Sequence, residues 1–337
     1  MHQYLYAQRS VQSTIALPEL PGSSSLEAGF RISRLAEPVK TTAPLHWDRA
    51  LTIAPQPGDP RCARVGEAFA LSFPGTAEVW IPAPGDVQVW QHPDASAESI
   101  RHVLLDQIMP RVLADAGALV LHGSAAVTPN GACVVLLADS GSGKSTLASA
   151  IALAGGELLT DDCFHLSRQG TQSVVIPTYS GLRLWPDSLQ ALFGADGARS
   201  EPMSHNSAKR RMSSPAGGRP SPASGSTPVD AIFVLEPGSD AIGILATPLN
   251  PSEACMALVR NSFRLDLGGH KAAHAALAES AHVIDAMPVL SLRYRRDYEM
   301  LPALISQLER IALAARASTG NSGHGRPAAN ESDFSCI

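Results

Sequence analysis

The spacing of apolar residues changes near residue 96 and divides the chain into two parts. Up to about residue 95, short apolar runs such as 68–73 and 87–90 alternate with Pro and Gly turns. This pattern predicts short antiparallel strands. From residue 97 to 116, apolar residues recur at helical spacing, with Pro110 as a kink. We therefore expect a small β-rich N-terminal domain over residues 1–95 and a second domain over residues 96–316.

The second part alternates strand-like and helix-like segments, which predicts an α/β fold. The apolar runs 118–127 and 132–137 flank Pro129-Asn130-Gly131 and predict a β-hairpin. Further strands are predicted at 157–162, within 164–184, at 229–235 and at 289–294, and helices at 251–264, 271–286 and 300–315.

Two segments contain too few large apolar residues to fold by themselves. Residues 196–227 are rich in Gly, Ser and Pro, so we expect a long mobile loop, and the basic triplet Lys209-Arg210-Arg211 lies inside it. Residues 317–337 are polar and Gly-rich, and we expect a disordered tail.

Composition excludes several classes of protein. The net charge is −5 and charged residues make up 17% of the chain, which argues against a nucleic-acid binder. No apolar run approaches the ~20 residues that span a bilayer, and the first residues lack the pattern of a signal peptide. The five cysteines are scattered, without a Cys-x-x-Cys pair, so neither a zinc site nor a disulfide framework is indicated. We expect a cytoplasmic protein.

Residues 138–146, Ala-Asp-Ser-Gly-Ser-Gly-Lys-Ser-Thr, form a glycine-rich loop between an apolar strand and an alanine-rich helix. Backbone N–H groups in such a loop converge on a phosphate, and the helix adds its positive end. Lys144 would reach the β- and γ-phosphates, and the Ser145 hydroxyl would hold Mg²⁺. Ala138 stands where the usual pattern begins with Gly. The predicted nucleotide-binding residues here are Ser140, Gly141, Ser142, Gly143, Lys144, Ser145 and Thr146.

Three further polar residues are predicted to reach this loop. Asp161 and Asp162 follow a short strand, seventeen and eighteen positions after Lys144, and this strand returns to the sheet edge beside the phosphates. One carboxylate could accept a proton from an attacking hydroxyl while the other holds Mg²⁺. His122 ends the first strand of the hairpin, and the hairpin returns it to the loop.

These motifs together resemble a known family. His122-Gly123-Ser124, the glycine-rich loop and Leu158-Leu159-Thr160-Asp161-Asp162 resemble the C-terminal domain of HPr kinase/phosphorylase, a bacterial enzyme that phosphorylates a serine of the phosphocarrier protein HPr. Residues 177–187, which include Leu182-Arg183-Leu184-Trp185-Pro186, are similar to a shorter branch that includes kinases of lasso-peptide precursors. The resemblance covers about residues 115–312.

The resemblance implies a fold related to phosphoenolpyruvate carboxykinase and a requirement for ATP and Mg²⁺. It implies that Asp161 is the general base, that its neighbour Asp162 serves the metal together with Ser145, and that His122 and Arg183 act in catalysis beside Lys144. Gly181 stands where the family has a Glu, which indicates phosphorylation rather than its reversal. One or more of Lys209, Arg210 and Arg211 are expected to approach the transferring phosphate, and the triplet is then either a lid that closes on the nucleotide or a solvated surface. We expect Trp185 to lie in the core.

We therefore expect a kinase that transfers phosphate from ATP to Ser or Thr of a protein or peptide. The alternatives are a kinase of small hydroxyl compounds such as free serine, and a nucleotide sensor without catalysis. The Asp161-Asp162 pair argues against the sensor. The full-length enzyme of the family is a hexamer, so the resemblance is compatible with a homo-oligomer, although the sequence does not predict its order.

Overall fold

The computed structural model describes residues 1–24, 29–39, 49–50, 59–179, 181–204, 207–212, 219–220, 225–236, 243–265 and 270–320. Within these residues the protein is mixed α/β, with three β-sheets. The predicted disordered tail lies outside the described residues from position 321 onward, and residues 317–320 continue a helix.

The described residues up to position 91 form eight strands: β1 (His2–Tyr6), β2 (Arg9–Ser13), β3 (Phe30–Arg34), β4 (Arg49–Ala50), β5 (Arg61–Val65), β6 (Ala68–Phe73), β7 (Ala77–Ala83) and β8 (Asp86–Gln91). They build one sheet in the order β1-β2-β3-β8-β7-β6-β5-β4. Alternate residues of β8, Val87 and Val89, are buried, as a sheet with one covered face requires. The described residues of this part that adopt regular structure are thus all in strands.

A helix follows this sheet and covers it. It comprises α1 (Ala97–His102), a π-helical segment (Val103–Ile108) and α2 (Met109–Asp115). Pro110 lies in the first turn of α2 and has no N–H to donate to the carbonyl of Asp106, four residues earlier. The π-helical segment lies directly before this break. Ile100, Leu104 and Ile108 share one hydrophobic core with the first sheet.

The rest of the chain contributes thirteen strands and five helices within the described residues. The strands are β9 (Leu119–Val127), β10 (Cys133–Leu137), β11 (Glu157–Thr160), β12 (Cys163–Gln169), β13 (Gln172–Pro177), β14 (Leu182–Leu184), β15 (Glu201–Ser204), β16 (Ser207–Met212), β17 (Arg219–Pro220), β18 (Thr227–Pro228), β19 (Ala231–Leu235), β20 (Ile244–Pro248) and β21 (Val289–Tyr294). The helices are α3 (Lys144–Leu153), α4 (Pro186–Phe193), α5 (Pro251–Arg260), α6 (His270–Ala286) and α7 (Leu301–Gly320). Short 3₁₀ turns span Gly194–Arg199 and Tyr298–Met300.

The second sheet has ten strands and carries helices on both faces. Its main path is β18-β13-β12-β9-β10-β19-β21-β20, and β11 and β17 pair beside β9. The predicted hairpin is confirmed, because β9 and β10 pair antiparallel with Val127 opposite Cys133. Strands β10, β19 and β21 run parallel. Alternate residues of β10 pack on opposite faces: Leu136 packs with α3, α4 and α7, and Leu137 packs with α5 and α6.

A third, small sheet lies partly within residues 196–227, where the sequence predicted a long mobile loop; residues 205–206, 213–218 and 221–224 of that prediction lie outside the described residues. Strands β15 and β16 form an antiparallel pair, and β16 pairs with β14. Leu182, Leu184 and Met212 enter the core beneath α3 and α4. The composition of this segment suggested too little apolar surface for it to fold by itself. Pairing of β16 with β14 gives its backbone groups hydrogen-bond partners from another part of the chain.

None of the described helices is both long and apolar enough to span a bilayer. The predicted helices at 251–264, 271–286 and 300–315 are confirmed as α5, α6 and α7, with ends that differ by a few residues. Helix α5 begins with a capping box, in which Asn250 and Glu253 each accept a hydrogen bond from the other's backbone N–H.

Candidate functional site

The glycine-rich loop joins the end of β10 to the start of α3, as the sequence predicts. Gly141 and Gly143 have φ angles of 80° and 92°, which glycine adopts without steric cost. Helix α3 begins at Lys144 and presents the unpaired N–H groups of its first turn to the loop. The Ala138 methyl is buried in the hydrophobic core with α3, so the core accommodates this departure from the usual motif.

A cavity of about 330 Å³ lies beside this loop. Its lining includes many of the residues predicted to bind nucleotide or catalyse: His122, Gly141, Ser142, Gly143, Lys144, Ser145, Thr146, Asp162, Arg183 and Lys209. Four other predicted residues are not among those that line it: Ser140, Asp161, Arg210 and Arg211. The structure therefore brings together most, but not all, of the predicted site.

The Lys144 side chain is buried and lies back across the loop. Its Nζ donates hydrogen bonds to the carbonyl oxygens of Ala138 at 2.7 Å and Asp139 at 3.1 Å. Burial lowers the pKa of the Lys144 ammonium from its ordinary value, although the carboxylates of Asp162 and Asp161 act in the opposite direction. The amine is thus held within the loop, where an anion on the loop would meet it.

Asp161 lies beneath the loop and is 1% exposed. Its Oδ1 accepts hydrogen bonds from Ser124 Oγ at 2.6 Å and from Ser145 Oγ at 2.8 Å. Its Oδ2 accepts the backbone N–H of Arg183 at 3.0 Å. The carboxylate therefore connects the loop hydroxyl to strands β9 and β14.

Asp162 occupies the corner between β11 and β12 and lines the cavity. Its φ angle is 74°, a left-handed conformation that is uncommon for any residue except glycine. Its Oδ2 accepts a hydrogen bond from Arg183 Nη1 at 2.5 Å. Asp161 and Asp162 both follow the last residue of β11, so they do not alternate along a strand. The sharp corner at Asp162 is what directs the two side chains to different surroundings.

The two carboxyl groups have opposite electrostatic surroundings. Burial and the neighbouring charge of Asp162 raise the pKa of Asp161 above its ordinary value. Burial also raises the pKa of Asp162, but the positive charge of Arg183 and further cationic groups outweigh it and hold this pKa below its usual range. Asp162 is therefore ionised at neutral pH.

Arg183 is 1% exposed, and its charge is balanced by Asp106 from the π-helical segment. Arg183 Nη2 donates to Asp106 Oδ1 at 2.5 Å, and the Tyr179 hydroxyl donates to the same oxygen. His102 Nδ1 lies 2.6 Å from Asp106 Oδ2. Sequence reasoning missed Asp106, although a carboxylate within an apolar helix segment is a signal that could have found it.

A series of ion pairs connects Asp106 through Arg211 to Glu19, which lies between β2 and β3. Arg211 lies directly opposite Arg183 on the paired strands β16 and β14, and its Nη2 is 3.7 Å from Asp106 Oδ2. Arg211 Nη1 also donates to Glu19, which accepts Arg101 Nε at 2.7 Å. Arg211 thus takes part in a buried charge network rather than in the lining of the cavity.

The other two members of the basic triplet have separate surroundings. Arg210 donates to Ser200, at 2.7 Å from its Nε to the Ser200 hydroxyl. Lys209 lines the cavity, and its Nζ lies 5.9 Å from the centre of the Trp185 ring. The prediction that Trp185 lies in the core is wrong, because the residue is 43% exposed and lines the same cavity. Leu182 and Leu184 fill the core side of this strand, and Trp185 follows them at its exposed end.

His122 lines the cavity, as predicted. Its ring packs edge-to-face on Phe263 at 6.1 Å. Burial lowers the pKa of the His122 imidazole to about 4. The ring is therefore neutral at physiological pH and can accept or donate a hydrogen bond, but it adds no positive charge toward a phosphate.

The same effect of burial predicts a pH dependence of stability. The pKa values of His122 and His165 are both lowered to about 4 from the ordinary 6.5. Above pH 6.5 both imidazoles are neutral whether the chain is folded or unfolded. As the pH falls toward 4, the unfolded chain binds protons that the folded chain does not, so the free energy of unfolding falls.

Urea unfolding at a series of pH values between 7 and 5 measures this slope. His165→Gln should flatten it, and His92→Gln, at an exposed side chain, serves as the matched control. Equal slopes for wild type and His165→Gln would contradict the assignment.

Sequence reasoning also missed Arg296, which lines the cavity just beyond the end of β21. Its Nη1 donates to the carbonyl oxygen of Gly141 at 3.2 Å. The available signal was its place in the fold, because ligands bind at the carboxyl ends of parallel strands. Strands β10 and β21 both end at this edge.

The donor set fits a magnesium ion that is bound together with a phosphate ligand. No group of three or more His, Cys, Asp or Glu side chains that could hold a metal occurs in the described parts of the chain. Mg²⁺ commonly uses only one or two carboxylates, with phosphate oxygens completing its ligands. The Ser145 hydroxyl and the carboxylates of Asp161 and Asp162 are hard oxygen donors of this kind.

Fold and site together define a mixed α/β protein with a glycine-rich loop and a carboxylate pair at one edge of its large sheet. No protein-family model matches the chain, and no curated protein matches it. Among solved structures, the Hpr(Ser) kinase/phosphatase from Coxiella burnetii aligns over 58% of this chain and 98% of its own, with 12% identity and a TM-score of 0.32. A TM-score of this size does not establish a common fold, so membership of that family stays a prediction.

Proposed function

We propose that this protein is an ATP-dependent kinase that transfers the γ-phosphate to a serine or threonine hydroxyl of a protein or peptide. The observation that carries the proposal is the 2.8 Å hydrogen bond from Ser145 Oγ to Asp161 Oδ1, because it joins the glycine-rich loop to the carboxylate pair. Phosphoryl transfer requires an anion site, a metal and a residue that orients the acceptor. A simple anion site would need no carboxylates beside it.

In this proposal the phosphates of ATP lie against the backbone N–H groups of the loop and of the first turn of α3. Lys144 Nζ, which donates to two loop carbonyls, reaches the phosphate oxygens instead when nucleotide is bound. Lys209 and Arg296 line the same cavity and add positive charge. Arg210 and Arg211 are left out of this assignment because their contacts are made elsewhere.

Ser145 and Asp161 would hold the magnesium ion. When bound, the ion neutralises charge that develops on the phosphate oxygens. The carboxylate of Asp161 is oriented by Ser124 and by the backbone of Arg183, as outer partners orient the ligands of other metal sites.

Asp162 is the better candidate for the acceptor side, which exchanges the roles that the sequence suggested for the two aspartates. It lines the cavity, whereas Asp161 is not among the lining residues. The acceptor hydroxyl gives its proton to Asp162 while its oxygen bonds to the γ-phosphorus. The bond from that phosphorus to the β–γ bridging oxygen breaks, and ADP leaves. Arg183 fixes the position of Asp162 through Nη1.

The metal assignment predicts a change in magnesium dependence. Ser145→Ala and Asp161→Asn should raise the Mg²⁺ concentration for half-maximal activity by roughly 10–100-fold, as loss of ligands or of their partners does in other metal sites. Titrating phosphate transfer against Mg²⁺ measures this shift. Ser306→Ala is the matched control, because the exposed Ser306 hydroxyl lies on α7 and donates to a backbone carbonyl four residues earlier. An unchanged Mg²⁺ requirement in both variants would remove these residues from the metal site.

Mass spectrometry tests the function as a whole. The protein is incubated with ATP, Mg²⁺ and serine-containing peptides, and free serine is included as a second acceptor. A peptide that gains the mass of one phosphate supports the proposal. Phosphoserine without phosphopeptide would support the small-molecule alternative, and ATP binding without any transfer would support a sensor.

A further inference from the structure

Two aromatic side chains are exposed in the wall of the cavity. Trp185 is 43% exposed and Tyr298 is 42% exposed, and both line the cavity beside the glycine-rich loop. Large aromatic groups are usually covered, and their exposure in a ligand cavity indicates a surface that a ligand completes. The catalytic roles proposed above use neither of them.

A series of hydroxyl groups ties this aromatic pair to the loop. Thr146 Oγ1, in the first turn of α3, donates to Ser188 Oγ at 3.2 Å, and Ser188 Oγ lies 3.2 Å from the Tyr298 hydroxyl. Ser188 belongs to the first turn of α4, and Trp185 is the N-cap of that helix. Both rings therefore lie near the first turn of α4, next to the helix that receives the phosphates.

The Lys209 ammonium lies over the face of the Trp185 ring. Lys209 Nζ lies 5.9 Å from the ring centre, at cation–π distance. Strand β16 is held against β14 by the pair Arg210–Leu184, so Lys209 and Trp185 are neighbours at the end of that ladder. A bound phosphate would attract the Lys209 ammonium and leave the ring face to another ligand group.

We propose that Trp185 and Tyr298 form a stacking platform for the base of the bound nucleotide. This inference rests on the proposed function and adds the base-binding subsite to it. Every nucleobase presents a flat π face, and base–aromatic stacking stabilises binding without hydrogen-bond readout. The acceptor hydroxyl requires no such surface, and its partner Asp162 is bound to Arg183 rather than to either ring.

The platform predicts that loss of a ring weakens a nucleotide but not a bare polyphosphate. Isothermal titration calorimetry compares ATP with inorganic tripolyphosphate, each with Mg²⁺. Trp185→Ala and Tyr298→Ala should each bind ATP roughly 5- to 100-fold more weakly, which corresponds to the energy of one stacked base. Their affinity for tripolyphosphate should stay at the wild-type value. Trp185→Phe and Tyr298→Phe keep a ring and should recover most of the affinity for ATP.

Three outcomes would overturn the platform: unchanged ATP affinity in both alanine variants, an equal loss for ATP and tripolyphosphate, or a raised KM for the peptide acceptor alone. Nucleotide binding itself is tested by Lys144→Ala. If that variant kept full affinity for ATP, the proposed function would fail, whatever the two rings do. A second readout is the fluorescence of Trp185: ADP should change it in wild type, and the change should be absent in Trp185→Phe. No difference between these two proteins would also overturn the platform.

Discussion

Asp162→Asn should abolish most phosphate transfer while the protein still binds ATP. The change removes the ionised oxygen that accepts the acceptor's proton and preserves the size of the side chain. A positioned general base contributes a factor of roughly 10²–10⁴ in rate, and a loss of this size is expected in kcat. Affinity for ATP should change only a few-fold, because the loop amides and Lys144 are untouched. Calorimetry with ATP and initial rates of phosphopeptide formation provide the two measurements.

Glu299→Gln is the control for this substitution. Glu299 is an exposed carboxylate next to Tyr298, and it is not among the residues that line the cavity. Its amide variant should keep the wild-type rate. If Asp162→Asn also kept the wild-type rate, Asp162 would not be the proton acceptor, and Asp161, the residue first suggested by the sequence, would have to be tested in its place.

Asp106→Asn should cause the largest loss of stability among the variants considered. Asp106 is 3% exposed and balances two arginines. Arg183 and Arg211 are directly opposite each other on paired strands, where like charges repel. Removing the carboxylate charge leaves both cations buried without their shared partner. Breaking a buried ion pair in this way costs about 3–5 kcal/mol, and urea unfolding measures it.

Glu67→Gln is the control for Asp106→Asn. Glu67 forms an exposed ion pair with Arg64, and such pairs contribute less than about 1 kcal/mol. The Asp106 variant should also lower kcat more than it raises KM for ATP, because the Arg183 guanidinium loses the partner that fixes its Nη2 and so positions Asp162 less exactly through Nη1. A loss of stability under about 1 kcal/mol in Asp106→Asn would show that the network does not require this charge.

Sequence reasoning predicted the parts of the site that depend on neighbouring residues. A strand, a glycine-rich loop and a helix are local features, and they occur at residues 133–153 as predicted. His122 and Asp162 were also predictable, because a hairpin and a short return strand bring their ends to the loop. The two aspartates could not be assigned from spacing, since the left-handed φ of Asp162 turns the chain away from simple alternation.

The charge network was not predictable, because its members are far apart in the sequence. Asp106 lies 77 positions from Arg183, and Glu19 lies 192 positions from Arg211. The hairpin of β15 and β16 was missed for a related reason: its hydrogen bonds to β14 depend on the tertiary fold and not on local composition. Trp185 follows two core leucines, so the exposure of its ring was not predictable from its neighbours.

Kinase activity is tested by the transfer of ³²P from [γ-³²P]ATP to a peptide library with degenerate sequence around a single Ser or Thr. Wild type and Asp162→Asn are compared at equal concentration with Mg²⁺. The proposed function predicts labelled phosphopeptide with wild type and a loss of roughly 10²–10⁴-fold with the variant. Labelling at the same rate by both proteins, or ATP binding by wild type with no labelled peptide from the library, would contradict it.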